Sequence, residues 1–209
     1  MPFNDRINGV EQSTKALLDA ALDLPKYVLP MYEFAAQTGP NAIMVCDQDA
    51  RPIGVALGAI DIYMGAVPAI ADRLFYRRIS KRVPMDELVE HLSDPLESLR
   101  DQGDLQRLMV VDDYVSRSAG TCHTFRRACN RLRVRVPIDW VTLAGRGTAL
   151  NVTPNLGPTA AAPWRDRPDV LGVSYEGTRL TQAPTPLSEM FYATIRQGVR
   201  NLFEHTLPE

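Results

Sequence analysis

Two adjacent carboxylates, Asp112 and Asp113, close the short apolar run of residues 108–111. A stretch of small and hydroxyl residues follows: Ser116, Arg117, Ser118, Ala119, Gly120 and Thr121. The apolar spacing then becomes helical through Phe125, Ala128 and Leu132. Strand, acid pair, small-residue loop and helix in that order present free backbone N–H groups at a helix N-terminus, a natural site for phosphate. The carboxylates beside it repel phosphate, but they can hold Mg²⁺ or accept hydrogen bonds from sugar hydroxyls. Both are expected to face solvent at the strand end. The chemistry that uses all of these groups together is the binding of a phosphorylated sugar. The plainer alternative is a strand-to-helix turn with a capping Ser or Thr.

A second strand–loop–helix unit stands earlier in the chain. Residues 42–46, AIMVC, read as a buried parallel strand, and DQDARP leads into a small-residue helix. In that loop Ala50 and Arg51 stand before Pro52, and Arg51 suits a bidentate phosphate contact. The alternative is that Arg51 pairs with Asp47 or Asp49. Residues 73–83 begin as a strand and end basic, with Arg77, Arg78, Lys81 and Arg82 as four cations in six positions. They form either a phosphate-facing loop or a charged edge of the sheet.

The acid pair and its loop resemble the phosphoribosyl-pyrophosphate (PRPP) motif of the type I phosphoribosyltransferases, over roughly residues 41–180. The resemblance implies that Asp112 and Asp113 hold the ribose hydroxyls and Mg²⁺. It implies that Ser116, Arg117, Ser118, Ala119, Gly120 and Thr121 cradle the 5′-phosphate. It gives Ala50, Arg51, Arg77, Arg78 and Lys81 the pyrophosphate, with Asp112, Asp113 and Arg51 as the catalytic set. It makes the basic stretch after the second strand a mobile loop that closes over PRPP. The phosphate loop departs from the family pattern by about one extra residue, with Arg117 inside it, and the loop of residues 47–52 lacks the usual glycine. Ser116 stands where many 6-oxopurine enzymes carry an acid–base Asp, which argues against hypoxanthine or guanine as acceptor.

These groups need a scaffold. Apolar runs near residues 42, 74, 108, 138 and 170 alternate with helical patterns about every thirty residues, the βαβ rhythm of a parallel sheet. The expected fold is α/β: a type I phosphoribosyltransferase-like, Rossmann-like parallel sheet of about five strands with helices on both faces, as one domain over residues 1–209 with its core in 41–180. Helices over residues 11–24 and 27–37, punctuated by Pro25 and Pro30, are candidates for a hood over the acceptor. Residues 85–102 read as an acidic helix broken at Pro95. A C-terminal helix over 187–205, apolar at Met190, Phe191, Ile195, Val199 and Leu202, is expected to pack on the sheet or form a homodimer contact. Between the last two apolar runs lies a Gly-, Pro- and Thr-dense stretch containing Trp164, which either stacks on a planar acceptor or plugs the core rim.

Composition narrows the classes. At 209 residues, 45% hydrophobic and 23% charged, the chain can bury a sizeable core. A formal charge of −2 gives no footprint for nucleic-acid or membrane binding. Three cysteines without a CxxC pair fit a reducing compartment and a cytoplasmic protein. Expected partners are PRPP and a small-molecule acceptor. The acceptor transfer reading competes with a non-catalytic PRPP- or nucleotide-binding regulator of the same fold. A hydrolase built on Asp112 and Asp113 is a third reading, and it needs further metal ligands.

Overall fold

The computed structural model describes residues 3–101, 103, 105–115, 119–145, 150–151 and 163–204. The chain runs α1 (Phe3–Thr38), β1 (Ala42–Cys46), α2 (Arg51–Met64), β2 (Leu74–Arg77), α3 (Met85–Asp101), β3 (Leu108–Val115), α4 (Gly120–Arg131), β4 (Ile138–Gly145), β5 (Leu150–Asn151), α5 (Pro168–Leu171), β6 (Val173–Glu176), β7 (Arg179–Gln182) and α6 (Pro186–Glu204). The architecture is α/β, with a parallel sheet flanked by helices and ordered β2-β1-β3-β4-β5. β1 is buried at every position and sits between β2 and β3, which explains its unbroken apolar run. Among the described residues no helix is long and apolar enough to cross a membrane.

The chain leaves β1 toward β2, then crosses back to place β3 on the other side of β1. Right-handed crossovers with that reversal put α2 on one face of the sheet and α3 and α4 on the other. The packing agrees: α1, α2 and α6 pack on one another, and α3 packs on α4. The reversal makes the gap between β1 and β3 the place where the carboxyl ends of the strands open into a crevice.

Three expectations from sequence are corrected. The N-terminal segment is one helix, α1, with Pro25 and Pro30 inside it. Each proline removes a helix hydrogen bond and costs about 3 kcal/mol. Leu17, Ala21, Leu24, Val28, Met31, Tyr32 and Ala35 form a fully buried stripe on both sides of the prolines. Each larger side chain in it gains about 1.5–3 kcal/mol on burial, so the stripe outweighs the breaks. The same holds in α3, which runs unbroken through Pro95 on the buried stripe Leu88, Leu92 and Leu96. The apolar run near residue 170 is not a strand of the main sheet. Its first part is α5, which ends at Gly172 in the left-handed conformation (φ +64°), the Gly172 N–H donating to Pro168 O at 2.8 Å. Its second part is β6, which pairs antiparallel with β7 as a separate hairpin. The fifth position of the main sheet is taken by β5, in the Gly- and Pro-dense stretch where no strand was expected.

α6 packs against the core through Phe191, Ile195 and Val199, all fully buried, while Met190 is exposed. Its Gly198 lies against α1 so closely that a Cβ there would sit 2.2 Å from the Leu22 carbonyl oxygen. Among the described residues of α1, none lines the cleft described next.

Candidate functional site

β3 outruns β1. Their pairing ends at Val45↔Val111, whereas β3 stays paired with β4 as far as Val115↔Gly145. Beyond Asp112, which the register sets opposite the last residue of β1, the β1-facing edge of β3 therefore has no strand beside it. A cleft of about 320 Å³ opens there. Its walls come from separated parts of the chain: Cys46–Asp49 after β1, Arg78–Arg82 after β2, Asp112–Tyr114 on β3, Ala119–Cys122 at the start of α4, and Arg165 with Asp166.

Asp112 and Asp113 both line this cleft, but they do not face open solvent; their residues are 8% and 5% exposed. Asp112 Oδ1 accepts the Asp113 N–H at 2.9 Å. Burial, then the neighbouring Asp113 charge, holds the Asp112 carboxyl well above the usual carboxylate range. Asp113 is paired with Arg165, whose Nε donates to Oδ2 at 2.8 Å and whose Nη2 donates to the same oxygen. The Arg165 guanidinium lies 5.2 Å from the centre of the Tyr114 ring. Asp49 completes the acidic wall. Burial, then the Asp113 charge, pushes its carboxyl up to about 6.

The start of α4 faces the same space. Gly120, Thr121 and Cys122 line the cleft, and the first intrahelical bond above them runs from His123 N to Ala119 O at 2.9 Å. The N–H groups of the first turn have no partner within the helix. Ala119 caps with φ +47° and no side-chain hydrogen bond, and no acidic residue stands in the first turn. Among the described residues no side chain caps this end of the helix. Ser116, Arg117 and Ser118, expected to form the rest of the phosphate loop, lie outside the described residues.

The cations expected to meet pyrophosphate separate into two groups. Arg51 does not line the cleft. Its Nε and Nη2 donate to the two carboxylate oxygens of Asp47 at 2.7 and 2.6 Å, and its guanidinium lies 5.1 Å from the Tyr76 ring centre. Asp47 is buried and also accepts the Tyr175 hydroxyl. This fork-to-fork pair holds α2 to the end of β1 and keeps Arg51 off the cleft wall. Ala50 is fully buried, and its N–H donates to Cys46 O at 3.3 Å to close the turn into α2. Arg77 donates to the Tyr76 carbonyl at 2.9 Å and lies off the cleft. Arg78, Lys81 and Arg82 do line it. Arg78 donates to Gln48 Oε1 at 2.5 Å and stacks 4.9 Å from the Tyr175 ring centre, while Lys81 and Arg82 are exposed at the rim.

Trp164 is corrected too. It is 1% exposed, 5.5 Å from the ring of Phe191, and its Nε1 donates to Asp49 O at 2.8 Å. A ring buried in this way cannot stack on an acceptor; it plugs the core rim and ties the segment after β5 to the loop after β1.

Sequence reasoning missed Arg165, Asp49, Asp166 and Gln48. The first two carry charge into the cleft. Asp166 donates its N–H to Asp49 Oδ1 at 3.1 Å. Gln48 sits at φ +87°, a region few non-glycine residues occupy and one often found at functional loops. The one sequence signal was the run of charges Arg165, Asp166 and Arg167 behind a tryptophan in an otherwise uncharged stretch.

Asp49, Asp112 and Asp113 line one space, where burial first and the Asp113 charge second hold Asp49 and Asp112 toward the protonated form. Among the described residues no group of three or more His, Cys, Asp or Glu is placed to hold a metal ion. Mg²⁺ commonly takes only one or two carboxylates and completes its shell with phosphate oxygens and water. No family model, curated protein or solved structure matches the chain.

Proposed function

We propose that the chain is a Mg²⁺-dependent phosphoribosyltransferase of the type I kind, moving ribose 5-phosphate from PRPP to a small-molecule acceptor. The observation that carries this reading is the meeting of two carboxylates toward the end of β3 with the N-terminus of α4 in one crevice between β1 and β3. The helix terminus and the loop before it take the 5′-phosphate, and Asp112 and Asp113 take the ribose hydroxyls. A nitrogen or oxygen of the acceptor attacks C1 of the ribose as the bond from C1 to pyrophosphate breaks. The bonding pair leaves with pyrophosphate, and the acceptor's proton passes to solvent. The transition state is oxocarbenium-like, so the protein's contribution is positioning and charge. Asp112 and Asp113 are the residues that would hold Mg²⁺. The ion would neutralise charge on the leaving pyrophosphate.

Pyrophosphate release from PRPP and Mg²⁺ over a panel of nucleobases and other nitrogen or oxygen acceptors tests the reading. Release with at least one acceptor is expected, and Asp112→Asn should abolish it while leaving the circular dichroism spectrum unchanged. PRPP binding without release for any acceptor favours the second reading, a PRPP- or nucleotide-sensing protein. The diversion of Arg51 to Asp47 is the feature that speaks for that alternative.

A further inference from the structure

An anion entering this cleft meets the carboxylates of Asp49, Asp112, Asp113 and Asp166 on its walls. Pyrophosphate needs cations there, and two arginines that the sequence offered, Arg51 and Arg77, are off the cleft. Lys81 and Arg82 stand exposed at the rim, where a charge is screened by water. Arg165 is placed differently. Its guanidinium rests on one of the two carboxylates that the proposed reaction assigns to ribose.

Its backbone is fixed from both sides. The residue before it, Trp164, is buried and bonded to the Asp49 carbonyl. The residue after it, Asp166, donates its N–H to the Asp49 side chain and holds φ +56°. The Arg165 side chain is nonetheless 33% exposed, against 7% for its partner Asp113. The main chain is thus pinned to the loop after β1, while the long side chain keeps room to move within the cleft.

We propose that Arg165 is a pyrophosphate-binding residue that exchanges partners: it occupies Asp113 in the empty cleft and passes to the pyrophosphate of PRPP, freeing Asp113 for the ribose hydroxyls. This rests on the transferase reading above. A planar guanidinium suits the exchange because carboxylate and phosphate oxygens match the same fork of donors. Arg165 serves as a placeholder that keeps a buried carboxylate paired until substrate arrives, and an unpaired buried charge is strongly unfavourable.

The test is calorimetric titration of the whole chain with Mg²⁺-pyrophosphate and, separately, with ribose 5-phosphate. Arg165→Ala is expected to weaken pyrophosphate binding roughly tenfold to a hundredfold, the usual effect of losing a charge-assisted hydrogen bond. It should leave ribose 5-phosphate binding unchanged or tighter, because Asp113 no longer has a competing partner. Arg165→Lys should recover part of the pyrophosphate affinity. Arg165→Gln, which keeps a donor for Asp113 without the charge, covers the case in which the alanine variant fails to fold. Equal weakening of both ligands in the variants would make Arg165 a structural brace and overturn the proposal, as would unchanged pyrophosphate affinity. Wild-type binding of ribose 5-phosphate without pyrophosphate would also overturn it, while sparing the phosphate-loop assignment. Binding of neither ligand by the wild type would overturn the transferase reading and this proposal with it.

Discussion

At the scale of single residues, the cleft stores unfavourable charge, and Asp49 measures it. Its carboxyl is pushed up to about 6 from an ordinary value of 3.8, by burial first and the Asp113 charge second. A raised carboxyl favours the folded state while protonated. That contribution is fully present below 3.8 and is lost as pH rises through about 6. Asp49→Asn keeps the Oδ1 that accepts the Asp166 N–H but never ionises. The variant should therefore be more stable than the wild type at pH 7.5 by about 1–2 kcal/mol, after allowance for partial solvent exposure. The gap should close below pH 4. Urea unfolding at the two pH values reads the difference; a variant less stable at pH 7.5 would mean that the Asp49 charge is needed by Arg165. Asp112 and Asp113 were legible in the sequence because two acids ending an apolar run have few structural excuses. Arg165 was not, because its role depends on a loop whose anchor, Trp164, seeks a core that only the folded chain defines.

At the scale of elements, α6 crosses α1 in close contact at Gly198, away from the residues that line the cleft. Alanine normally helps a helix interior by about 1 kcal/mol relative to glycine. Here its Cβ would lie 2.2 Å from the Leu22 carbonyl oxygen, and neither backbone can yield without moving a helix. Overpacking of this kind costs about 1–3 kcal/mol or more, so the clash outweighs the propensity. Gly198→Ala should lower the stability measured in urea by that amount and leave ribose 5-phosphate affinity unchanged; a more stable variant would show that the two helices do not meet this closely. Such a joint cannot be read from spacing, since one glycine in a helical pattern has many explanations. The strands could be read. AIMVC and the run before Asp112 are apolar at every position because each is buried on both faces. The hairpin of β6 and β7 escaped notice because Gly172 divides one apolar run between a helix and a strand. The prolines misled for a related reason: local rules set their cost, while burial of the stripe around them, a property of the whole fold, decides whether it is met.

At the scale of the whole molecule, the cleft is assembled from stretches that lie far apart in the chain, so ligand binding should be felt unequally across them. The basic segment after β2 shows this. The sequence suggested a mobile loop over residues 77–82, yet Ile79 and Val83 are buried at 8% and 7% exposure. Arg78 is held by Gln48 and by the Tyr175 ring. Val83 N donates to Ser80 O at 3.1 Å and Arg82 N to Ser80 Oγ at 3.2 Å, folding the intervening residues into a turn. Lys81 and Arg82 therefore stand on a short arch between two buried anchors, with room to tilt toward an anion but not to close as a long lid. Hydrogen exchange resolved to single amides, with and without PRPP and Mg²⁺, should show Val83, whose N–H is bonded to Ser80 O, protected in both states. Lys81 should gain protection only with ligand. Exchange that is fast along the whole segment until ligand binds would restore a full closing loop and mean that the buried anchors release in solution. Slow exchange at Lys81 in both states would make this stretch a fixed basic edge. The proposed transfer would then need another part of the cleft wall to exclude water, and the segment around Arg165 is already tied to the loop after β1.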